Sequence, residues 1–172
     1  MYSEVDLRIE GYSPEMLERI VKIHDEVFPS LLGVDSQFQA QIKEELSQLI
    51  ECYKEGRDGI WIAKYNGQFA GSLCLDGKNT DSSGPRLRFM VVCPKYQGNG
   101  IGRHLLHSAL SFCLRSGLES VHLWTFDQLF AAKHLYESAG FVPTEKREVL
   151  CWGTHLLERK YVLTLQKGMT AE

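Results

Sequence analysis

The sequence contains no run of lysine and arginine, and its net charge at neutral pH is −3. A nucleic-acid binder needs a basic stripe to neutralise phosphates, so no nucleic-acid partner is expected. There is no apolar run long enough to span a bilayer, so no membrane partner is expected either. The opening residues, Met1-Tyr2-Ser3-Glu4-Val5-Asp6, lack the basic and apolar regions of a secretory signal. Five cysteines, Cys52, Cys74, Cys93, Cys113 and Cys151, stand far apart, without the short spacings of zinc or redox motifs. They read as reduced thiols of a cytoplasmic protein, each a small buried hydrophobe. Among six histidines there is no H-E-x-x-H pattern, and His104 and His107, one helical turn apart, lack a third ligand. No metal is expected. Repeats, low-complexity tracts and Pro/Gly-rich linkers are missing too, so residues 1–172 read as a single domain.

What is present is the composition of a soluble globular chain, 44% hydrophobic and 24% charged over 172 residues, enough to bury a substantial core. Val5 to Glu10 alternates as a short strand does. Ser13-Pro14-Glu15 opens a helix whose inner face is Leu17, Ile20, Val21, His24, Val27 and Phe28, and Pro29 is expected to stop it. A second helix begins near Asp35 or Ser36, with Phe38, Ile42, Leu46, Leu49, Ile50 and Tyr53 at helical spacing. The apolar segment Pro29 to Gly33 between them is either a cover for a cleft or a corner between helices. Ile60–Tyr65, Asn66-Gly67 and Gln68–Leu75 read as a hairpin with a type I′ turn. Asp76 to Pro85 is expected as a loop, Leu87–Val92 as a strand, and Ile101 to about Gly117 as a helix. Ser120–Thr125 is a strand, Phe130–Ala139 a helix with Gly140 just past its end, and Phe141–Leu150 and Leu157–Leu165 are two strands. The order predicts an α/β fold built on one mixed sheet covered by helices.

The densest signal is Val91 to Leu106, VVCPKYQGNGIGRHLL, in which Gly98, Gly100 and Gly102 alternate between a strand and a helix. Glycines let a backbone come close to an anion, and unpaired helix N–H groups point at it. A dinucleotide-binding turn requires G-x-G-x-x-G directly after its strand and an acid ending the next one. Here five residues separate Val92 from Gly98, and Asp127 falls just beyond the next strand, so the match is partial. A triphosphate-binding P-loop requires a Lys-Ser or Lys-Thr pair, which is absent. A ligand-free turn has no need of three glycines within five residues.

Gln97-Gly98-Asn99-Gly100-Ile101-Gly102 resembles the Q/R-x-x-G-x-G/A signature of the GNAT superfamily of acyl-coenzyme A dependent N-acetyltransferases. Val92-x-Pro94 before it and Arg103-x-Leu105-Leu106 after it fit the same pattern. So does Ala132-Lys133-His134-Leu135-Tyr136-Glu137-Ser138-Ala139-Gly140-Phe141, which resembles the family's A-x-x-L-Y-x-x-x-G-F segment. Leu123-Trp124-Thr125-Phe126 and Trp152-Gly153 resemble a narrower group, the acetyltransferase domains fused to MarR-type regulators.

The resemblance implies a single-domain GNAT fold, a mixed and mostly antiparallel central sheet flanked by about four helices. It implies acetyl-CoA as cosubstrate, with its pyrophosphate on the backbone of Gln97, Gly98, Asn99, Gly100, Ile101 and Gly102. Arg103 is then either a further positive charge for the phosphates or a surface arginine. The pantetheine arm would lie along Met90, Val91 and Val92, on a strand that by resemblance splays from its neighbour. Tyr136 holds the position of the acid that protonates the leaving thiolate, the alternative being a core tyrosine. The sequence departs from the family in having Leu129 three residues before the motif's alanine, where many members carry Asn. No acid lies within Leu87–Val92 or Ser120–Phe126, so the general base stays open among a water relay, Asp76, Glu26 and Asp127. The implied function is acetyl transfer to a primary amine of a small molecule or peptide; a non-catalytic acyl-CoA sensor or regulatory subunit is the alternative. A homodimer is left open.

Overall fold

A computed structural model describes residues 6–168. Residues 1–5, which include Val5 and all but Asp6 of the opening segment read for a secretory signal, lie outside the described residues. The chain runs β1 (Leu7–Glu10), α1 (Met16–Leu32), α2 (Gln37–Glu51), β2 (Gly59–Tyr65), β3 (Gln68–Asp81) and β4 (Gly84–Val92). It continues as α3 (Ile101–Arg115), β5 (Ser120–Phe126), α4 (Phe130–Ser138), β6 (Val142–Cys151) and β7 (Thr154–Thr164). One seven-stranded sheet has the order β1-β2-β3-β4-β5-β7-β6. Every neighbouring pair is antiparallel except β4 and β5. This is the mixed, mostly antiparallel α/β architecture with four helices that the sequence implies.

Strand alternation divides the core between the two faces of the sheet. Ile60 and Ile62 of β2 join Ile20 and Val21 of α1 and Leu46 and Leu49 of α2 on one face. Ala63, with Trp61 packed beside it, joins Leu105, Ala109 and Cys113 of α3 on the other. Two hairpins turn on residue pairs with positive φ, Asn66-Gly67 (49° and 76°) and Trp152-Gly153 (48° and 76°), the backbone of a type I′ turn. The first was expected from Asn-Gly. The second was not, because tryptophan rarely adopts that conformation.

Three expectations need correction. Pro29 does not stop α1, which continues to Leu32. Pro29 forgoes the N–H bond that a residue there would give to the Asp25 carbonyl, yet its own carbonyl is used: Gly33, at φ 68°, closes the last turn by donating its N–H to it at 2.8 Å. The helix corner therefore lies after Gly33. Asp76–Pro85 is not a loop: β3 runs on to Asp81 and β4 starts at Gly84. Polar residues hold the strand there because the irregularity after Asp76 is tied by side chains. Asp76 Oδ1 accepts the Asn79 N–H at 3.0 Å, and Asp58 Oδ1 accepts the Gly77 N–H at 2.7 Å. Of the cysteines, Cys74, Cys93 and Cys113 are buried, but Cys52 is exposed and Cys151 half-buried.

The sheet carries two irregularities on β4. Its parallel contact with β5 holds only the pairs Arg86–His122 and Leu87–Leu123, so the strands part beyond Leu87. Opposite β3, Ser72 pairs with Val91 and Cys74 with Arg88, so Leu73 alone faces both Phe89 and Met90. That bulge puts Phe89 at φ 55° and resets which side chains face which way. Phe89 joins the α1/α2 face, while Met90 and Val92 pack toward α3.

Candidate active site

A cavity of about 800 Å³ occupies the gap where β4 and β5 part. Met90, Val91, Val92, Gln97, Gly98, Gly100, Ile101, Gly102, Arg103 and Tyr136 all line it. Asn99 does not. Its amide nitrogen donates to the Tyr96 carbonyl at 2.8 Å, and its oxygen accepts from the Tyr65 hydroxyl at 3.2 Å, bracing the turn from outside.

The three glycines serve two purposes. Gly98 and Gly100 adopt φ 82° and 74°, which brings the chain round into α3. A Cβ on Gly98 would meet nothing within 4 Å, so open space flanks the turn. A Cβ on Gly102 would stand 3.2 Å from Leu135 Cδ2 and 3.4 Å from Met90 Cε. Gly102 thus lets α3 approach α4 and β4. Ile101, Gly102 and Arg103 begin the helix, where amides have no carbonyl a turn earlier to bond. Those donors, with the positive end of the helix dipole, are suited to an anion. Arg103 is exposed at the same end.

Tyr136 is set by the way α4 ends. Phe141 donates its N–H to the Tyr136 carbonyl at 3.1 Å and Gly140 donates to Glu137 at 3.0 Å, with Gly140 at φ 97°. This Schellman pattern brings the Phe141 ring to 5.9 Å from the Tyr136 ring. Tyr136 is buried yet lines the cavity. Among the described residues nothing bonds its hydroxyl, and burial alone raises its pKa above the ordinary phenol value. The phenol therefore keeps its proton at neutral pH.

The opposite end of the cavity is aromatic. His24 and Phe28 (5.3 Å), Phe28 and Phe38 (5.9 Å), Phe38 and Trp152 (5.0 Å), and Trp152 and Phe126 (5.9 Å) form a continuous series of ring contacts. Trp152 comes from the β6–β7 turn, held against α2 by its indole N–H on Gln41 Oε1 at 2.8 Å. His24 Nδ1 donates to the Ile20 carbonyl at 2.8 Å, and burial lowers its pKa to about 4. It is therefore neutral.

None of the three carboxylates weighed as a base lines this cavity. Asp76 is engaged by Arg88 at 3.0 Å, and Asp127 by Arg159 at 2.5 Å and Lys133 at 3.3 Å, while Glu26 lies near Lys22 at 3.9 Å. The acids on its wall among the described residues are Glu45, paired with Arg88, and Glu158, 2.7 Å from Arg147. Both lie outside the motif segments, on α2 and β7, so no local pattern marks them. Among the described residues no group of three histidine, cysteine or acidic side chains is arranged to hold a metal.

Comparison with known proteins gives relatives and a fold. An uncharacterized N-acetyltransferase of Methanocaldococcus jannaschii is 24% identical over 136 residues, which cover 77% of this chain and 59% of that protein. The chain thus spans less than two thirds of that relative's length. An uncharacterized N-acetyltransferase of Archaeoglobus fulgidus is 23% identical over 137 residues, covering 77% of this chain and 90% of that protein. The structure of yncA from Salmonella typhimurium, solved with its cofactor acetyl-CoA, superposes with a TM-score of 0.76 at 18% identity, covering 96% of this chain and 98% of that one. That likeness is one of fold. The model of the Acetyltransferase (GNAT) family matches residues 17–141, from the first helix to the turn that sets Tyr136, and the chain belongs to that family.

Proposed function

We propose that the chain is an N-acetyltransferase that moves the acetyl group of acetyl-CoA directly to a primary amine of a small molecule or peptide in one ternary complex. The observation that carries this reading is a single cavity joining the first amides of α3 to the unpartnered Tyr136 hydroxyl. The pyrophosphate lies on the amides of residues 97–102, with Arg103 beside it. The pantetheine arm runs along Met90, Val91 and Val92, which β5 has left unpaired. A backbone N–H of that edge polarises the thioester carbonyl.

The amine nitrogen attacks the carbonyl carbon, the C–S bond breaks, and its electron pair goes to sulfur. Tyr136 then gives its proton to the thiolate. The burial that raises the phenol also disfavours an ionised sulfur in the same cavity, which favours taking up that proton. The acceptor enters as an ammonium that loses one proton through water to Glu45 or Glu158 before attack, and the second proton of the attacking nitrogen passes through water to the Tyr136 phenolate as the amide forms. We take residues 1–172 as one acetyltransferase domain acting in the cytoplasm, without metal, membrane or nucleic acid. Leu123–Phe126 and Trp152-Gly153 support its kinship with the domains fused to MarR-type regulators.

The test is thiol release from acetyl-CoA with polyamines, amino acids, aminoglycosides and peptides as acceptors. Amine-dependent release is the expected result. Saturable acetyl-CoA binding with no release from any acceptor would favour the acyl-CoA sensor instead.

A further inference from the structure

The amine-binding end of the cavity carries a cation without a partner. Arg88 is matched by Glu45 and Asp76, and Arg147 by Glu158 while stacking 4.1 Å over the Trp124 ring. Arg86, which lines the same wall, forms no ion pair among the described residues. Its Nε is buried without any hydrogen-bond partner. Native proteins seldom leave a buried donor unsatisfied, and the Arg86 terminal nitrogens, which form no hydrogen bond among the described residues and are not closed off as Nε is, are the part of the fork that a ligand in the cavity can reach. A guanidinium presents its donors in a planar fork that matches a carboxylate.

Arg86 pairs with His122 one rung before β4 and β5 part, at the threshold of the gap. The groups acting on it are Arg88, Glu45, Glu158 and Arg147, drawn from β4, α2, β7 and β6. We propose that Arg86 binds a carboxylate on the acceptor, which is therefore an amino acid or similar amine with an acid group and an apolar body. This rests on the acetyltransferase reading above. The apolar body lies against Phe28, Phe38, Phe126 and Trp152, and the ammonium group faces Glu45 and Glu158. A zwitterionic acceptor thus meets a matching charge at each end.

The test compares thiol release from acetyl-CoA with matched acceptors. Phenylalanine, tryptophan, methionine and 6-aminohexanoate carry the acid; phenethylamine, tryptamine, methioninamide and hexylamine do not. In the wild-type chain at least one acid-bearing member should exceed its counterpart about ten- to hundredfold in kcat/KM. Arg86→Met keeps an apolar stem and removes the fork. It should reduce that preference to less than about threefold, leave acetyl-CoA affinity unchanged and not lower Tm; Arg86→Lys should retain part of the preference. A preference that survives in Arg86→Met overturns the assignment, as does a wild-type chain that favours the amines lacking an acid. Acetyl-CoA binding with no turnover of any acid-bearing probe overturns it as well. A lowered Tm in Arg86→Met with the preference intact marks Arg86 as structural. Failure of the wild-type chain to bind acetyl-CoA overturns the transferase reading and this inference with it.

Discussion

The Ser72 hydroxyl donates to the Phe89 carbonyl at 2.9 Å, across the bulge where β4 gains its extra residue. Phe89 stands at φ 55°, a conformation that is unfavourable for a bulky residue by about 1–2 kcal/mol. The bond satisfies the carbonyl of a buried, strained position and so fixes where Met90, Val91 and Val92 present their backbone. Ser72→Ala removes the donor and leaves that carbonyl unpaired. Unfolding free energy should fall by about 1–3 kcal/mol in a denaturant titration, and KM for acetyl-CoA should rise. An unchanged KM would show that the bulge does not position the cofactor-binding edge.

Gly100 initiates α3 at φ 74°. Gly100→Ala forces a Cβ into that conformation at about 1–2 kcal/mol, but the Cβ would meet only His104 ring atoms at 3.7 Å. The variant should fold. Relief of the strain rotates the amides of the turn, and acetyl-CoA affinity by calorimetry should weaken by about tenfold, equivalent to about 1.4 kcal/mol. Undiminished affinity would remove the phosphates from this turn.

His24 links stability to pH. Burial lowers its folded pKa to about 4, below the ordinary value of about 6.5. Between those values the unfolded chain binds a proton that the folded chain refuses. Its contribution is therefore complete above about pH 6.5 and is lost as pH falls toward 4, by about 3 kcal/mol at most. Urea titrations at pH 7 and pH 4 should show His24→Leu losing less stability than the wild type by that order. Equal losses would mean that His24 takes up its proton in the folded chain.

Tyr136→Phe keeps the ring against Phe141 and removes only a hydroxyl that bonds nothing in the described residues. Tm and acetyl-CoA affinity should stay as they are, while kcat falls by about 10²-fold or more. Because burial holds the phenol above its ordinary value of about 10, no limb of the pH–rate profile below that pH belongs to it. Full activity in the variant would mean that the thiolate leaves unaided.

Two parts of this site are legible in the sequence because the chain writes them locally. The Gly98–Gly102 turn and the α4 segment ending at Gly140 each need particular residues at fixed spacing. Glu45, Glu158, Arg86 and His24 are not legible in that way. They come from α2, β7, β4 and α1, and only the sheet order brings them to one wall. The extended β3–β4 hairpin escaped because Lys78 to Asp81 is polar on both sides, and its pairing depends on Asp58 and Asp76 bonding backbone amides. Pro29 misled for a related reason: a local rule about helix interiors yields when the last turn is closed by Gly33 and buries Leu32.

The most direct test of the account is a crystal structure of the chain soaked with acetyl-CoA. The account predicts the pyrophosphate within hydrogen-bond distance of the amides of residues 97–102, and the sulfur beside the Tyr136 hydroxyl in the gap between β4 and β5. Acetyl-CoA lying elsewhere, or a sulfur out of reach of that hydroxyl, would contradict it.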